Sequence, residues 1–126
     1  MWKWMITGIL TAAAAAFIFL NSSAEEEIST KELEEKLTEE QADDYYFVDV
    51  REPDEFREGH IEQMENYPLS TLSEEYASLP QDKPLVIICR SGSRSEQAVE
   101  FLEQEGFDDL INVEGGMLDW EGATVQ

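Results

Sequence analysis

Cys89 is the single cysteine of this 126-residue chain, and it opens the run Cys89-Arg90-Ser91-Gly92-Ser93-Arg94-Ser95. A thiolate is a strong nucleophile that needs electropositive, hydrogen-bonding surroundings to exist near neutral pH. Two arginines, three serine hydroxyls and one glycine within six residues are the types that supply such surroundings. A lone cysteine at the end of an apolar run is ordinarily a small buried hydrophobe. Packing, however, gives no reason for six polar or glycine residues directly after a core strand. The residue types and their spacing describe a sulfur nucleophile in a cradle of donors.

Two elements must position that loop. Pro84-Leu85-Val86-Ile87-Ile88 is short, β-branched and bounded by proline and the glycine-bearing loop, which predicts a buried strand over 84–89. From Ser95, residues Ala98, Phe101, Leu102 and Glu105 keep helical spacing, and Gly106 suits the position after a helix end. A helix over 95–105 is therefore predicted. A strand, a tight loop and a helix start direct backbone N–H groups and the positive end of a helix dipole toward the first loop residue, where an anion is stabilised.

The remaining pattern alternates in the same way. A short strand is expected near Ile28, followed by a helix capped by Ser29 or Thr30 and running to about Gln41. A strand follows over Tyr45–Val50, with a short helix over Pro53–Glu58. A further helix is expected over Ser70–Leu79 with Leu72, Tyr76 and Leu79 inward, then a strand over Leu110–Val113 and a last short helix over Gly116–Trp120. Strands alternating with helices imply an α/β fold, a parallel sheet with helices on both faces. The cysteine loop then lies at the carboxyl end of its strand, where open α/β sheets bind ligands.

The loop Cys89–Ser95 resembles the active-site loop of rhodanese-type sulfurtransferases in their single-domain form. Val48-Asp49-Val50-Arg51-Glu52-Pro53-Asp54-Glu55-Phe56-Arg57-Glu58-Gly59-His60-Ile61 is similar to the stretch that precedes that loop. Val113-Glu114-Gly115-Gly116-Met117-Leu118-Asp119-Trp120 is similar to the family's closing Gly-Gly-x-x-x-Trp signature. The resemblance covers roughly residues 28 to 122; after Ile61 it departs from the pattern at Gln63-Met64, where the family commonly has a small Gly-Ala pair, while Asn66 and Pro68 fit the Asn and Pro that follow. It implies a rhodanese-like α/β fold and sulfur transfer through a persulfide on Cys89. The donor would be a small sulfur compound such as thiosulfate, and the acceptor cyanide or a thiol. No cofactor and no metal are implied. Related phosphatases and arsenate reductases carry one more residue between the cysteine and the arginine, so the four residues between Cys89 and Arg94 suit a sulfur atom better than a tetrahedral oxyanion.

The residues then divide by role. Cys89 is the nucleophile. Arg90, Ser91, Gly92, Ser93, Arg94 and Ser95 are expected to bind the sulfur anion and its donor through backbone N–H groups, hydroxyls and charge. Arg90 is expected at the pocket mouth. Arg94 has a competing role, turning to a carboxylate such as Asp49 or Glu55 and bracing the loop. Asp49, Arg51 and Glu55 are read as structural support. The resemblance places His60, the only histidine, in a structural turn, and one Cys with one His cannot close a metal site. Gly115 and Gly116 permit a tight turn where backbone comes close to the pocket, and Met117 and Trp120 pack the last helix. A non-enzymatic alternative is a persulfide carrier or partner-binding module of the same fold.

Charge and the N-terminus bound the setting. A net charge of −21, from 29 acidic and 8 basic residues, argues against nucleic acid and anionic lipid headgroups. Met5 to Leu20 carries no charge, follows Lys3 and precedes Glu25-Glu26-Glu27. Residues 1–24 are therefore read as a cleaved signal peptide or an uncleaved membrane anchor, with a rhodanese-like domain over 25–126. Either sends the domain to an extracytoplasmic location, secreted or membrane-attached. No second cysteine exists to resolve a persulfide, so regeneration calls for another thiol.

Overall fold

A computed structural model of the chain describes residues 25–126. The expected signal peptide or anchor lies outside the described residues. Among those residues no helix is long and apolar enough to cross a membrane.

Five strands form one sheet: β1 (Glu25–Ile28), β2 (Tyr46–Asp49), β3 (Glu65–Asn66), β4 (Leu85–Ile88) and β5 (Leu110–Val113). Their order is β1-β5-β4-β2-β3, and every pairing is parallel. The central strand β4 is buried along its whole length, as its unbroken aliphatic sequence requires when both faces are covered. Side-chain alternation divides the core in two. Leu85, Ile87 and Cys89 join Val48, Val50 and Leu110 on one face. Val86 and Ile88 join Phe47, Ile111 and Val113 on the other.

Five helices cover these faces: α1 (Thr30–Lys36), α2 (Pro53–Glu58), α3 (Leu72–Glu75), α4 (Ser93–Gln104) and α5 (Gly116–Asp119). α4 buries Ala98, Val99 and Leu102 on the Cys89 face, with Leu72 of α3 beside them. α1 buries Leu33 on the opposite face. Ser29 caps α1 and shares a reciprocal capping box with Glu32.

Several boundaries differ from the sequence pattern. α1 stops at Lys36 instead of reaching Gln41, because no apolar residue beyond Leu37 extends its stripe and Glu35 would oppose Glu39 one turn on. The segment 70–79 is a 3-10 turn (Leu69–Thr71), α3 and a second 3-10 turn (Tyr76–Ser78), although Leu72 and Leu79 are buried as expected. α4 begins at Ser93, two residues early, because Gly92 takes φ 114° and reverses the chain within the loop. β3 has only two residues and shows no periodic signal.

The carboxyl end of β2 is held by a buried ion pair. Arg51 donates from Nε and Nη2 to Asp49 at 2.8–3.1 Å, and its backbone N–H donates to Asp49 Oδ1 at 2.9 Å. Arg51 Nη2 also reaches the Gly59 carbonyl at 2.9 Å, tying the end of α2 to the sheet. Asn66 donates to the carbonyls of Asp49 and Arg51 at 3.0 and 2.9 Å. Removing one partner of such a pair strands the other charge in the interior. Asp49→Ala should therefore lower stability by about 3–5 kcal/mol, read as an earlier urea midpoint with an unchanged slope. A change below about 1 kcal/mol, the scale of an exposed pair, would contradict the bracing role.

Candidate active site

Cys89 follows β4 directly and continues the inward row of Leu85 and Ile87, so its side chain is buried at 1% exposure beneath the start of α4. The Gly92 N–H donates to Cys89 Sγ at 3.0 Å. Ser95, fully buried in the first turn of α4, places its hydroxyl 3.4 Å from Sγ. In the thiol form Cys89 Sγ–H donates to Ser95 Oγ, and Ser95 Oγ–H donates to the Gly92 carbonyl at 3.0 Å. Once the sulfur loses its proton, rotation of the Ser95 hydroxyl gives the anion a second donor.

These contacts decide the acidity of the thiol. Burial pushes its pKa up. The Ser95 hydroxyl and the backbone N–H groups of Ser95, Gly92 and Ser91 together outweigh that effect, and the thiol lies below the ordinary cysteine value. Hydrogen bonds to the charged form, the donors expected from the strand, loop and helix start, thus carry the effect.

Two braces fix the curvature of the loop. The first is α5. Met117 N–H donates to the Cys89 carbonyl at 2.9 Å and Leu118 N–H to the Arg90 carbonyl at 3.0 Å. That approach requires glycine at 116: its φ is 57°, and a Cβ there would lie 2.4 Å from the Cys89 carbonyl oxygen. The second brace is a two-pronged ion pair. Arg94 Nη1 and Nη2 donate to Glu55 Oε1 and Oε2 at 2.7 and 2.9 Å. Glu55 Oε1 also accepts the Glu52 N–H at 3.0 Å, closing the capping box of α2. One carboxylate therefore joins the start of α2 to the start of α4.

The Arg94 hydrogen bonds hold the Glu55 carboxyl down at about 2, against the opposing effect of burial. The pair's contribution to stability is therefore present above the ordinary carboxylate range and is lost as pH falls toward about 2.

The structure brings the expected residues together with some redistribution. Arg94 turns to Glu55, one of its two expected roles, whereas Asp49 is taken by Arg51. Arg90 is exposed beside the loop, and among the described residues its guanidinium makes no ion pair. Of the three serine hydroxyls only that of Ser95 reaches the sulfur; the side chains of Ser91 and Ser93 are exposed. His60 stacks on Phe56 at 3.7 Å between ring centroids, contacts the Phe56 carbonyl through Nδ1 and pairs in backbone with Val125. Asn66, which the family resemblance marked without assigning it a role, ties two carbonyls of the β2 end. Sequence reasoning missed Ser70, which donates to Glu52 at 2.8 Å and carries no spacing signal. A concavity of about 310 Å³ lies away from the sulfur, between Tyr45, Tyr46, Phe47 and Lys83 at the amino ends of β2 and β4.

A buried sulfur met by loop N–H groups at the carboxyl end of a parallel strand suits an anion-forming nucleophile. The model of the rhodanese-like domain matches residues 29–123. The chain belongs to the rhodanese-like family. Among curated proteins it is 44% identical over 98 residues to the putative sulfurtransferase YtwF of Bacillus subtilis, covering 78% of this chain and 92% of that protein. It is 34% identical over 94 residues to a sulfurtransferase of Allochromatium vinosum, covering 75% of this chain and 86% of that one. Among solved structures, a rhodanese-like domain protein from Staphylococcus aureus superposes with TM-score 0.69 at 36% identity, covering 76% of this chain and 91% of its own. The expected rhodanese-like α/β fold, a parallel sheet with helices, is thus the observed one.

In this rhodanese-like domain the donors at Sγ make a direct expectation. Alkylation of Cys89 should follow a pH profile whose inflection falls below that of a free cysteine peptide measured alongside it. An inflection at or above the peptide's would show that burial outweighs the loop donors.

Proposed function

We propose that the chain is a sulfurtransferase that moves a sulfane sulfur from a donor such as thiosulfate to a thiophilic acceptor, cyanide or a thiol, through a persulfide on Cys89. The observation that carries this reading is the buried Cys89 sulfur with the Gly92 N–H at 3.0 Å and the Ser95 hydroxyl beside it. The names of the relatives support the reaction class.

The Cys89 thiolate attacks the outer sulfur of thiosulfate. A bond forms between Sγ and that sulfur, the donor's S–S bond breaks, and sulfite leaves with the electron pair. The persulfide carries the negative charge on its outer sulfur, where loop N–H groups of Arg90 through Ser95 and the start of α4 stabilise it. The acceptor then attacks the outer sulfur, taking it as thiocyanate when the acceptor is cyanide, and the thiolate is regenerated. This is covalent catalysis in two steps, with the cysteine as both acceptor and leaving group. Arg90, exposed and without an ion pair among the described residues, draws the anionic donor in.

The test is the intact mass of the purified chain. Incubation with thiosulfate should add one sulfur atom, and cyanide should remove it with release of thiocyanate. Cys89→Ser should keep the circular dichroism of the parent and lose sulfur transfer by at least about a thousandfold, the usual scale for removing a covalent nucleophile. A Cys89→Ser protein that still converts thiosulfate and cyanide at a comparable rate would overturn the covalent mechanism.

A further inference from the structure

The loop contains two arginines, and the fold leaves only one of them for a substrate. Arg94 is the first-turn residue next to Ser95, whose hydroxyl touches the sulfur. From that position a guanidinium is in reach of an anion approaching Cys89. The Glu55 hydrogen bonds, and further the charges of Glu55 and Cys89, make Arg94 more basic than usual. Its guanidinium nevertheless spends its two parallel N–H edges on Glu55 at 2.7 and 2.9 Å. Glu55 is itself held by the Glu52 N–H at 3.0 Å, so the pair is anchored to the start of α2.

The charge left around the sulfur is therefore unusual. Arg51 is committed to Asp49 and Arg57 to Asp54. At this end of the sheet Arg90 and Lys31 make no ion pair among the described residues, and of the two only Arg90 belongs to the cysteine loop, against the exposed carboxylates Glu96, Glu114 and Asp119. Thiosulfate is a dianion, and its attack by a thiolate gathers three negative charges at one point. An uncharged alkyl hydropersulfide, R–S–SH, gathers one. Like charges at such distances raise the barrier by amounts that one solvent-exposed arginine compensates only in part.

We propose that Glu55 sets the donor preference of the Cys89 site: by sequestering Arg94 it withholds the second loop cation from incoming anions and favours thiol-borne hydropersulfides over thiosulfate. This rests on the sulfurtransferase reading above. In the favoured step the Cys89 thiolate attacks the outer sulfur of R–S–SH. The new bond joins Sγ to that sulfur, the donor's S–S bond breaks, and the electron pair leaves on RS−. The departing RS− takes the proton from the outer sulfur, giving RSH and the Cys89 persulfide anion. No oxidant or reductant is consumed. Glu55 touches no reacting atom; it is a positioning residue whose effect is electrostatic.

The experiment compares two donors, thiosulfate and 2-hydroxyethyl hydropersulfide, with cyanide as the acceptor in both. It is run on the full chain, on Glu55→Gln, on Arg94→Gln and on the double variant. Glutamine at 55 keeps an acceptor for the Glu52 N–H while losing the charge that holds Arg94. The parent should show the higher kcat/KM with the hydropersulfide. Glu55→Gln should raise the thiosulfate-to-hydropersulfide ratio of kcat/KM about tenfold, mainly through a lower KM for thiosulfate, whatever loss of the brace does to both donors alike. The double variant should lose that gain. Arg94→Gln alone should lower the thiosulfate-to-hydropersulfide ratio, because it leaves the Glu55 carboxylate without its cation beside the site. That arm decides the matter if Glu55→Gln fails to fold.

Parallel losses for both donors in Glu55→Gln would show a purely structural brace and overturn the proposal. So would a thiosulfate gain that survives in the double variant, or an unchanged thiosulfate-to-hydropersulfide ratio in Arg94→Gln. A parent that prefers thiosulfate also overturns it while leaving the sulfurtransferase reading intact. A parent that transfers sulfur from neither donor overturns both.

Discussion

A sulfur anion buried at the end of a β-strand survives only if backbone donors converge on it, and their convergence depends on the curvature of seven residues. Cys89 sits where water is excluded, so its thiolate has to be solvated by the protein. The Gly92 N–H at 3.0 Å and the Ser95 hydroxyl take over that solvation. The remaining architecture can be understood as support for that curve. β4 delivers Cys89 on the face that α4 covers, Gly92 turns the chain back at positive φ, and α4 begins at once so that its first turn stands over the sulfur. A parallel sheet with its helices on both faces places all of this at the carboxyl end of its central strand.

The curve is pinned from opposite sides by different physics. On one side α5 donates two backbone hydrogen bonds to the carbonyls of Cys89 and Arg90, at a separation that only glycine at 116 allows. That contact is steric and neutral and is insensitive to pH. On the other side the Glu55–Arg94 pair is ionic, with about a third of each side chain still exposed. Its energy is modest beside that of the buried Asp49–Arg51 pair. Its consequence is larger than its energy, because it takes the charge of one loop arginine out of play. In a chain of net charge −21, the placement of each remaining cation matters for any anionic substrate.

Much of this was legible in the sequence, and the reasons are specific. β4 is an uninterrupted aliphatic run, β5 was placed at the right residues, and Pro53 marked the start of α2 at its first helical position. Gly115-Gly116 announced close backbone contact. What could not be read was partner choice. Asp49 and Glu55 were both offered to Arg94, and only the three-dimensional structure shows Arg51, two residues from Asp49, claiming it first. The outward turn of Ser91 and Ser93 was likewise invisible, because it follows from α4 starting at Ser93, which in turn follows from the φ of Gly92. Asn66 matched the family pattern but its role could not be read, since a side chain that bridges two carbonyls of a neighbouring strand has no periodicity.

The account depends most on where the transferred sulfur rests. A crystal structure of the chain soaked in sulfur donor at neutral pH tests this directly. The account predicts density for one added atom bonded to Cys89 Sγ, directed into the loop and within hydrogen-bonding distance of backbone N–H groups between Arg90 and Ser95. An added sulfur that points away from the loop into solvent, or an unmodified Cys89 in crystals that still turn the donor over, would contradict it.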